Sequence, residues 1–173
     1  MKALEVVGVR VELPASQPVV LLKEVDGSRY LPIWIGAVEA SAIAFQQQGV
    51  TATRPLTHDL LRDVIEALGS PLEAVRITEL RDDVFFAELV FADGVTVSAR
   101  PSDAIALALR SESMIYAADE VLDEAGVPVP EDGMAETDEP AGADAEGEVE
   151  AFREFLDTIS PEDFAAGGEP HER

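Results

Sequence analysis

Two Asp-Gly pairs, Asp26-Gly27 and Asp93-Gly94, each stand between apolar runs, and each is followed by an Ala-rich stretch. Such a pair supplies the positive φ angles of a tight hairpin, so the strands beside it are expected to pair antiparallel. The order strand, Asp-Gly hairpin, strand, Ala-rich helix runs once over Val19–Gln48 and again over Val84–Glu112. The two copies are offset by 67 residues at the Asp-Gly pairs and by 62 at the Ala-Ile-Ala triplets of 42–44 and 104–106, the mark of a degenerate internal duplication. Helical stretches this short and scattered do not supply the repeated strand–helix–strand crossovers of a doubly wound parallel sheet. The expected fold is therefore α+β: a compact mixed or antiparallel sheet domain built from two strand-hairpin-helix halves.

Periodicity predicts strands over residues 2–12, 19–25, 30–35, 72–80, 84–91 and 95–100, with a short segment at Met114–Tyr116 left unassigned. Helices are predicted over Ala37–Gln48, over His58–Leu68 behind Thr57 as N-cap, over Asp103–Arg110 behind Ser102 as N-cap, and over Ala118–Ala125. Val38, Ala42 and Phe45 are expected on the buried stripe of the first helix, and Trp34 in the core. This domain is expected to span residues 1–127. Residues 128–148 are Pro, Gly, Ala and acidic side chains with almost nothing bulky and apolar, which predicts a disordered acidic linker. Val149, Phe152, Phe155, Leu156 and Ile159 then recur at helical spacing, so residues 149–173 are expected to carry a short amphipathic helix and tail, with residues 149–165 a surface for a protein partner.

Charge narrows the function classes. The chain carries −23, but residues 1–127 hold 10 basic and 20 acidic side chains, whereas residues 128–173 hold 2 and 15. More than half of the excess thus lies beyond the domain. A domain of this sign does not grip nucleic acid by general phosphate attraction, and no basic stripe interleaved with aromatics suggests base stacking. With no cysteine, disulfides, thiolate metal sites and a Cys nucleophile are excluded. Neither a charged-then-apolar leader nor a long apolar run is seen, so a cytoplasmic protein without a membrane association is expected. Signatures for zinc proteases, serine hydrolases, phosphate loops and dinucleotide folds are missing, and no organic cofactor is expected.

Two segments each place Arg, Pro, a hydroxyl residue and Asp at a helix start: RPLTHDLL at Arg54–Leu61 and RPSDAIALALR at Arg100–Arg110. Free N–H groups and the helix dipole favour an anion there, and a nearby guanidinium can fork onto a phosphate. Capping alone would also select Ser or Thr followed by Asp, with the Arg as its partner. His58 beside Asp59 strengthens the functional reading, because an imidazole next to carboxylates can act as a general base near neutral pH. Glu39, early in an otherwise apolar helix, is a third carboxylate that could converge on the same place.

These residues, with LPIWIG at Leu31–Gly36 and Glu39 after it, RPLTHDLL, and ARPSDAIALALR at Ala99–Arg110, resemble the bifunctional nuclease domain family of small bacterial and plant domains. The resemblance covers about residues 1–127. It implies a compact α+β domain that self-associates as a homo-oligomer and cleaves RNA and DNA. The chain departs from the family in carrying Ser98 where members commonly have Asp two residues before Arg100.

Under this resemblance the expected activity is metal-assisted hydrolysis of phosphodiester bonds in RNA or DNA. Glu39, Asp59 and Asp103 would hold Mg²⁺ or Mn²⁺, hard cations suited to oxygen ligands. His58, Asp59 and Asp103 are the expected catalytic residues, and Arg54, Arg100 and Ser102 the expected substrate-binding ones. The competing expectation is a non-catalytic oligomeric scaffold or regulatory interaction module, in which the two Arg-Pro-hydroxyl motifs hold the duplicated halves together. Convergence of the motifs on one open concave surface favours chemistry, whereas burial as paired caps favours structure.

Overall fold

The computed structural model describes residues 1–12 and 16–128. β1 (Lys2–Glu12), β2 (Gln17–Glu24) and β3 (Arg29–Trp34) form an antiparallel meander, followed by α1 (Ala37–Gln47) and α2 (Thr57–Leu68). β4 (Leu72–Arg81), β5 (Val84–Phe91) and β6 (Thr96–Ala99) form a second meander, followed by α3 (Pro101–Ser111). β7 (Met114–Ala117), α4 (Asp119–Ala125) and β8 (Val127–Pro128) complete the order. The duplicated unit is thus three strands and a helix, one strand more than the hairpin pattern suggested.

The strands make one sheet in the order β6-β5-β4-β7-β1-β2-β3-β8. β7 joins the meanders, pairing antiparallel with β1 and parallel with β4, and the other pairs are antiparallel. The domain is α+β with a mixed sheet, as expected. Pro128, the first residue of the disordered acidic linker expected over residues 128–148, ends β8 and pairs with Arg29, and the rest of that linker and the helix expected within residues 149–173 lie outside the described residues. Among the described residues no helix is long and apolar enough to cross a membrane.

α3 is the centre of the helical layer. It packs against α1, α2, β4 and β5, so Ala104, Ile105, Ala106, Leu107 and Ala108 are all buried. A helix covered on every side must be apolar all round, which is what its Ala-Leu sequence supplies. α1 lies on β1, β2 and α3, turning Ala40 and Ile43 inward. Val38 and Phe45, expected in the core, are exposed instead, because the small residues of α1 take the contact with α3 and the sheet. α2 rests on α3 rather than on the sheet, has no fully buried residue, and leaves Leu60, Leu61, Val64 and Leu68 exposed.

Three local expectations are corrected. Gly94 has φ +83°, as a hairpin glycine should, but Gly27 has no positive φ. Four residues separate β2 from β3, and the missing side chain of Gly27 makes room for Glu24, whose carboxyl carbon would lie 2.1 Å from a Cβ there. Arg29 donates to the buried Glu24 at 3.1 Å. Second, α2 and α3 begin at Thr57 and Pro101, so the caps are Leu56 and Arg100, and Thr57 and Ser102 fall inside the first turn. Proline suits that position because its absent N–H would have no helical partner anyway. Third, Trp34 is 50% exposed. Leu31, Ile33 and Ile35 point into the core, and the alternation of an extended chain turns Trp34 the other way.

Candidate active site

Three carboxylates occupy the same local position. Glu39, Asp59 and Asp103 are each the third residue of a helix, α1, α2 and α3, where the dipole and unpaired N–H groups favour negative charge. Glu39 and Asp103 also correspond within the duplication, each following its own meander. The cap residue differs between the copies: Gly36 in the first, Arg100 in the second.

That difference assembles a cluster. From its cap position Arg100 donates through Nε to Asp103 Oδ2 at 2.6 Å and through its terminal nitrogen to Glu39 Oε1 at 2.8 Å, across 61 residues of sequence. Asp103 first, and then Glu39, hold the guanidinium pKa above its ordinary value, by hydrogen bonds and by charge. The second oxygen of Asp103, Oδ1, lies 3.2 Å from His58 Nε2. His58 comes from the first turn of α2, and its side chain is 12% exposed. Glu39, Arg100, Asp103 and His58 therefore form one chain of contacts drawn from three helices.

Gly36 matters to this arrangement through space rather than conformation. A Cβ at that position would lie 2.3 Å from Glu39 Oε2, well inside contact distance. The carboxylate of Glu39 folds back over the place where a side chain would be.

All four cluster residues line one open cavity of about 780 Å³, together with Val38, Phe45, Pro55 and Leu56. Arg100 is the accessible member, with a 66% exposed side chain. An exposed pairing of this kind contributes little stability, so the guanidinium can exchange its carboxylate partners for a phosphate.

The other expected site residues lie elsewhere. Arg54 is exposed on the link between α1 and α2 and lines a separate cavity with Asp59, Arg62 and Asp63. Ser102 is buried and lines a third cavity, on which Arg100 also borders. Ser98, the point of departure from the family pattern, is exposed on β6 opposite Glu88.

Asp59 is occupied by a different partner. Its Oδ1 accepts from Arg110 Nε at 2.5 Å, and its Oδ2 accepts from the Leu56 N–H at 2.9 Å. Burial pushes this carboxyl upward, but the Arg110 hydrogen bond, the Leu56 N–H and the charges of Arg110 and Arg62 together hold it below the usual carboxylate range. The Arg110 side chain is 2% exposed and also donates to the carbonyls of Ala106 and Ala42. One buried guanidinium thus ties α1, α2 and α3 together behind the cluster. In the sequence the signal for Arg110 is an arginine closing an otherwise apolar Ala-Leu helix, which does not by itself name Asp59 as its partner.

The donor set bears on a metal ion. Among the described residues no group of three His, Cys, Asp or Glu side chains is placed to hold one. Glu39 and Asp103 do converge, since both reach the same cationic group. Two carboxylates fit a hard divalent cation of the Mg²⁺ type, which commonly takes one or two carboxylates and fills its shell with water and phosphate oxygens. Asp59, held by the buried Arg110 and lining a different cavity, stands outside that pair.

Comparison with known proteins gives one family match and several relatives. The model of the bifunctional nuclease domain matches residues 20–130. An uncharacterized protein of Mycobacterium tuberculosis (strain H37Rv) is 54% identical over 167 residues, covering 96% of this chain and 99% of that protein. Bifunctional nuclease 1 of Arabidopsis thaliana is 27% identical over 134 residues, 73% of this chain and 41% of the plant protein, and Bifunctional nuclease 2 of Oryza sativa subsp. japonica is 29% identical over 103 residues, 56% and 32%.

Proposed function

The chain belongs to the bifunctional nuclease domain family, and from that premise we propose that it hydrolyses phosphodiester bonds of RNA or DNA in the cavity lined by Glu39, His58, Arg100 and Asp103. The carrying observation is that these four residues, spread over 65 positions and three helices, meet in one open concavity through direct contacts. Residues selected only for capping would have no reason to meet.

Each side chain has a task that its geometry supports. An ionised carboxylate only accepts hydrogen bonds, so Asp103 Oδ1 selects the tautomer in which His58 Nε2 carries the proton. Nδ1 is then the basic nitrogen, and it takes the proton of an attacking water while Asp103 steadies the imidazolium that results. Arg100 releases its carboxylates to bind the scissile phosphate, where charge develops in the transition state. Glu39 and Asp103 are the residues that would hold a divalent cation, which when bound polarises the phosphate oxygens and offsets the acidic field of the domain. Asp59 acts through Arg110, setting the first turn of α2 and with it the position of His58.

Self-association is a further part of this reading. Leu60, Leu61, Val64 and Leu68 form an apolar stripe on α2 that no described element covers. A contiguous exposed stripe of this kind suits a second copy of the chain.

The test is cleavage of single-stranded and duplex RNA and DNA by highly purified protein across a panel of divalent metals, with Asp103→Ala as the paired control. Metal-dependent cleavage by the parent and its loss in the variant, with circular dichroism unchanged, is expected. Equal cleavage by both would overturn the proposal.

A further inference from the structure

The cavity on which Ser102 borders shares Arg100 with the cavity of the cluster. It has a volume of about 430 Å³ and is walled by Gln17, Trp34, Asp83, Phe85, Arg100 and Ser102. That is within the roughly 300–1,000 Å³ range of sites that take small organic groups. Both strand-to-helix junctions of the duplicated halves border it, through Gly36 and Arg100, and the β4–β5 hairpin closes it with Asp83.

Trp34 is its unusual wall. The strand alternation turns the indole away from the core, leaving it half exposed, and its Nε1 donates to Glu12 Oε2 at 3.3 Å. The ring is thus tethered by its polar edge at the mouth of a cavity, an arrangement that core packing does not require. Gln17 and Asp83 add a polar rim, and neither makes a side-chain hydrogen bond among the described residues. An aromatic face with unpaired amide and carboxylate groups beside it suits a flat heterocycle that carries its own N–H and carbonyl groups.

Resting on the nuclease reading above, we infer that this cavity is a nucleobase subsite: Trp34 stacks an unpaired base while Arg100, shared between the two cavities, grips the adjoining phosphate. The substrate class is therefore single-stranded nucleic acid or an unpaired stretch, because a base inside a duplex cannot present its face to Trp34 without leaving the stack. The charge balance points the same way. With twice as many acidic as basic side chains over residues 1–127, the domain gains little from general phosphate attraction, so stacking has to supply much of the grip.

Trp34 is the one tryptophan of the chain, so its own fluorescence reports the contact. The full-length protein is titrated in EDTA with a single-stranded DNA 10-mer, with the blunt duplex of the same sequence, and with an abasic strand of equal length. Saturable quenching by the single strand, and far less by the duplex and the abasic strand, is expected. In anisotropy with a labelled 10-mer, Trp34→Ala should weaken binding by about tenfold or more, and Trp34→Phe should recover most of it. Quenching in a protein that cleaves nothing would overturn the nuclease reading and leave the subsite standing. Cleavage of the single strand without quenching, or unchanged affinity in Trp34→Ala, would overturn the subsite.

Discussion

Replacing Asp59 by alanine separates a structural strut from a reacting group. In the folded protein Arg110 is 2% exposed and has three acceptors: Asp59 Oδ1 at 2.5 Å and the carbonyls of Ala106 and Ala42 at 2.8 and 3.0 Å. Removing the carboxylate leaves a buried guanidinium with neutral acceptors only. Breaking a buried pair from one side costs about 3–5 kcal/mol. Asp59 itself is 24% exposed, so water reaches part of the gap, and the lower end of about 3 kcal/mol applies. With a urea slope of about 2 kcal/mol per molar, the midpoint at pH 7 should fall by about 1.5 M. The double variant Asp59→Ala/Arg110→Met removes both charges and should recover most of the loss, since an apolar replacement of a buried pair is often neutral. The pH dependence has a definite sign. A carboxyl held low in the folded state stabilises fully above its unfolded value of about 3.9 and loses that contribution as pH falls through its folded value. The gap between parent and Asp59→Ala should therefore be widest above the unfolded carboxyl value and narrow as pH falls through the lower folded value. A midpoint shift below about 0.5 M at pH 7, or a gap that grows in acid, would refute the strut.

Two further outcomes follow from the same geometry. Gly36→Ala is expected to leave stability nearly unchanged, because the φ of −73° suits any residue, yet to lower kcat/KM on single-stranded substrate by about tenfold to a hundredfold by displacing the Glu39 carboxylate; parental kinetics would show that Glu39 is not needed where it lies. Leu60→Asp/Val64→Asp places two charges on the apolar stripe of α2 and should convert an oligomer to monomer in sedimentation velocity with secondary structure retained, and an unchanged sedimentation coefficient would remove α2 from the interface.

Much of the fold was legible because its signals are local. The Asp-Gly pairs, the Ala-rich stretches and the apolar runs marked both halves, and strand alternation was enough to place β5 at Val84–Phe91. The parallel pairing of β4 with β7 was not legible, since four residues of β7 carry no trace of which strand they will meet. The orientation of α1 is not legible for a related reason: its apolar residues lie on more than one face, and only the contact with α3 and the sheet decides that Ile43 rather than Phe45 goes inward. In the site, the motifs brought Glu39, His58, Arg100 and Asp103 forward together because each sits at a helix start. What a one-dimensional pattern could not do was assign partners. Asp59 and Asp103 look alike beside their arginines, yet Asp103 meets Arg100 and His58, while Asp59 meets an arginine 51 positions away. Trp34 reads as core in the sequence because an apolar run hides which face of a strand is covered.

The central claim is that His58, oriented by Asp103, moves a proton in a phosphodiester cleavage. It is tested most directly by the cleavage rate of His58→Ala on a single-stranded substrate, with and without added imidazole, in protein whose circular dichroism and urea midpoint match the parent. A general base contributes about 10²–10⁴-fold, so the variant should lose at least a hundredfold in rate and regain part of it as free imidazole is added. A parental rate in His58→Ala would contradict the account.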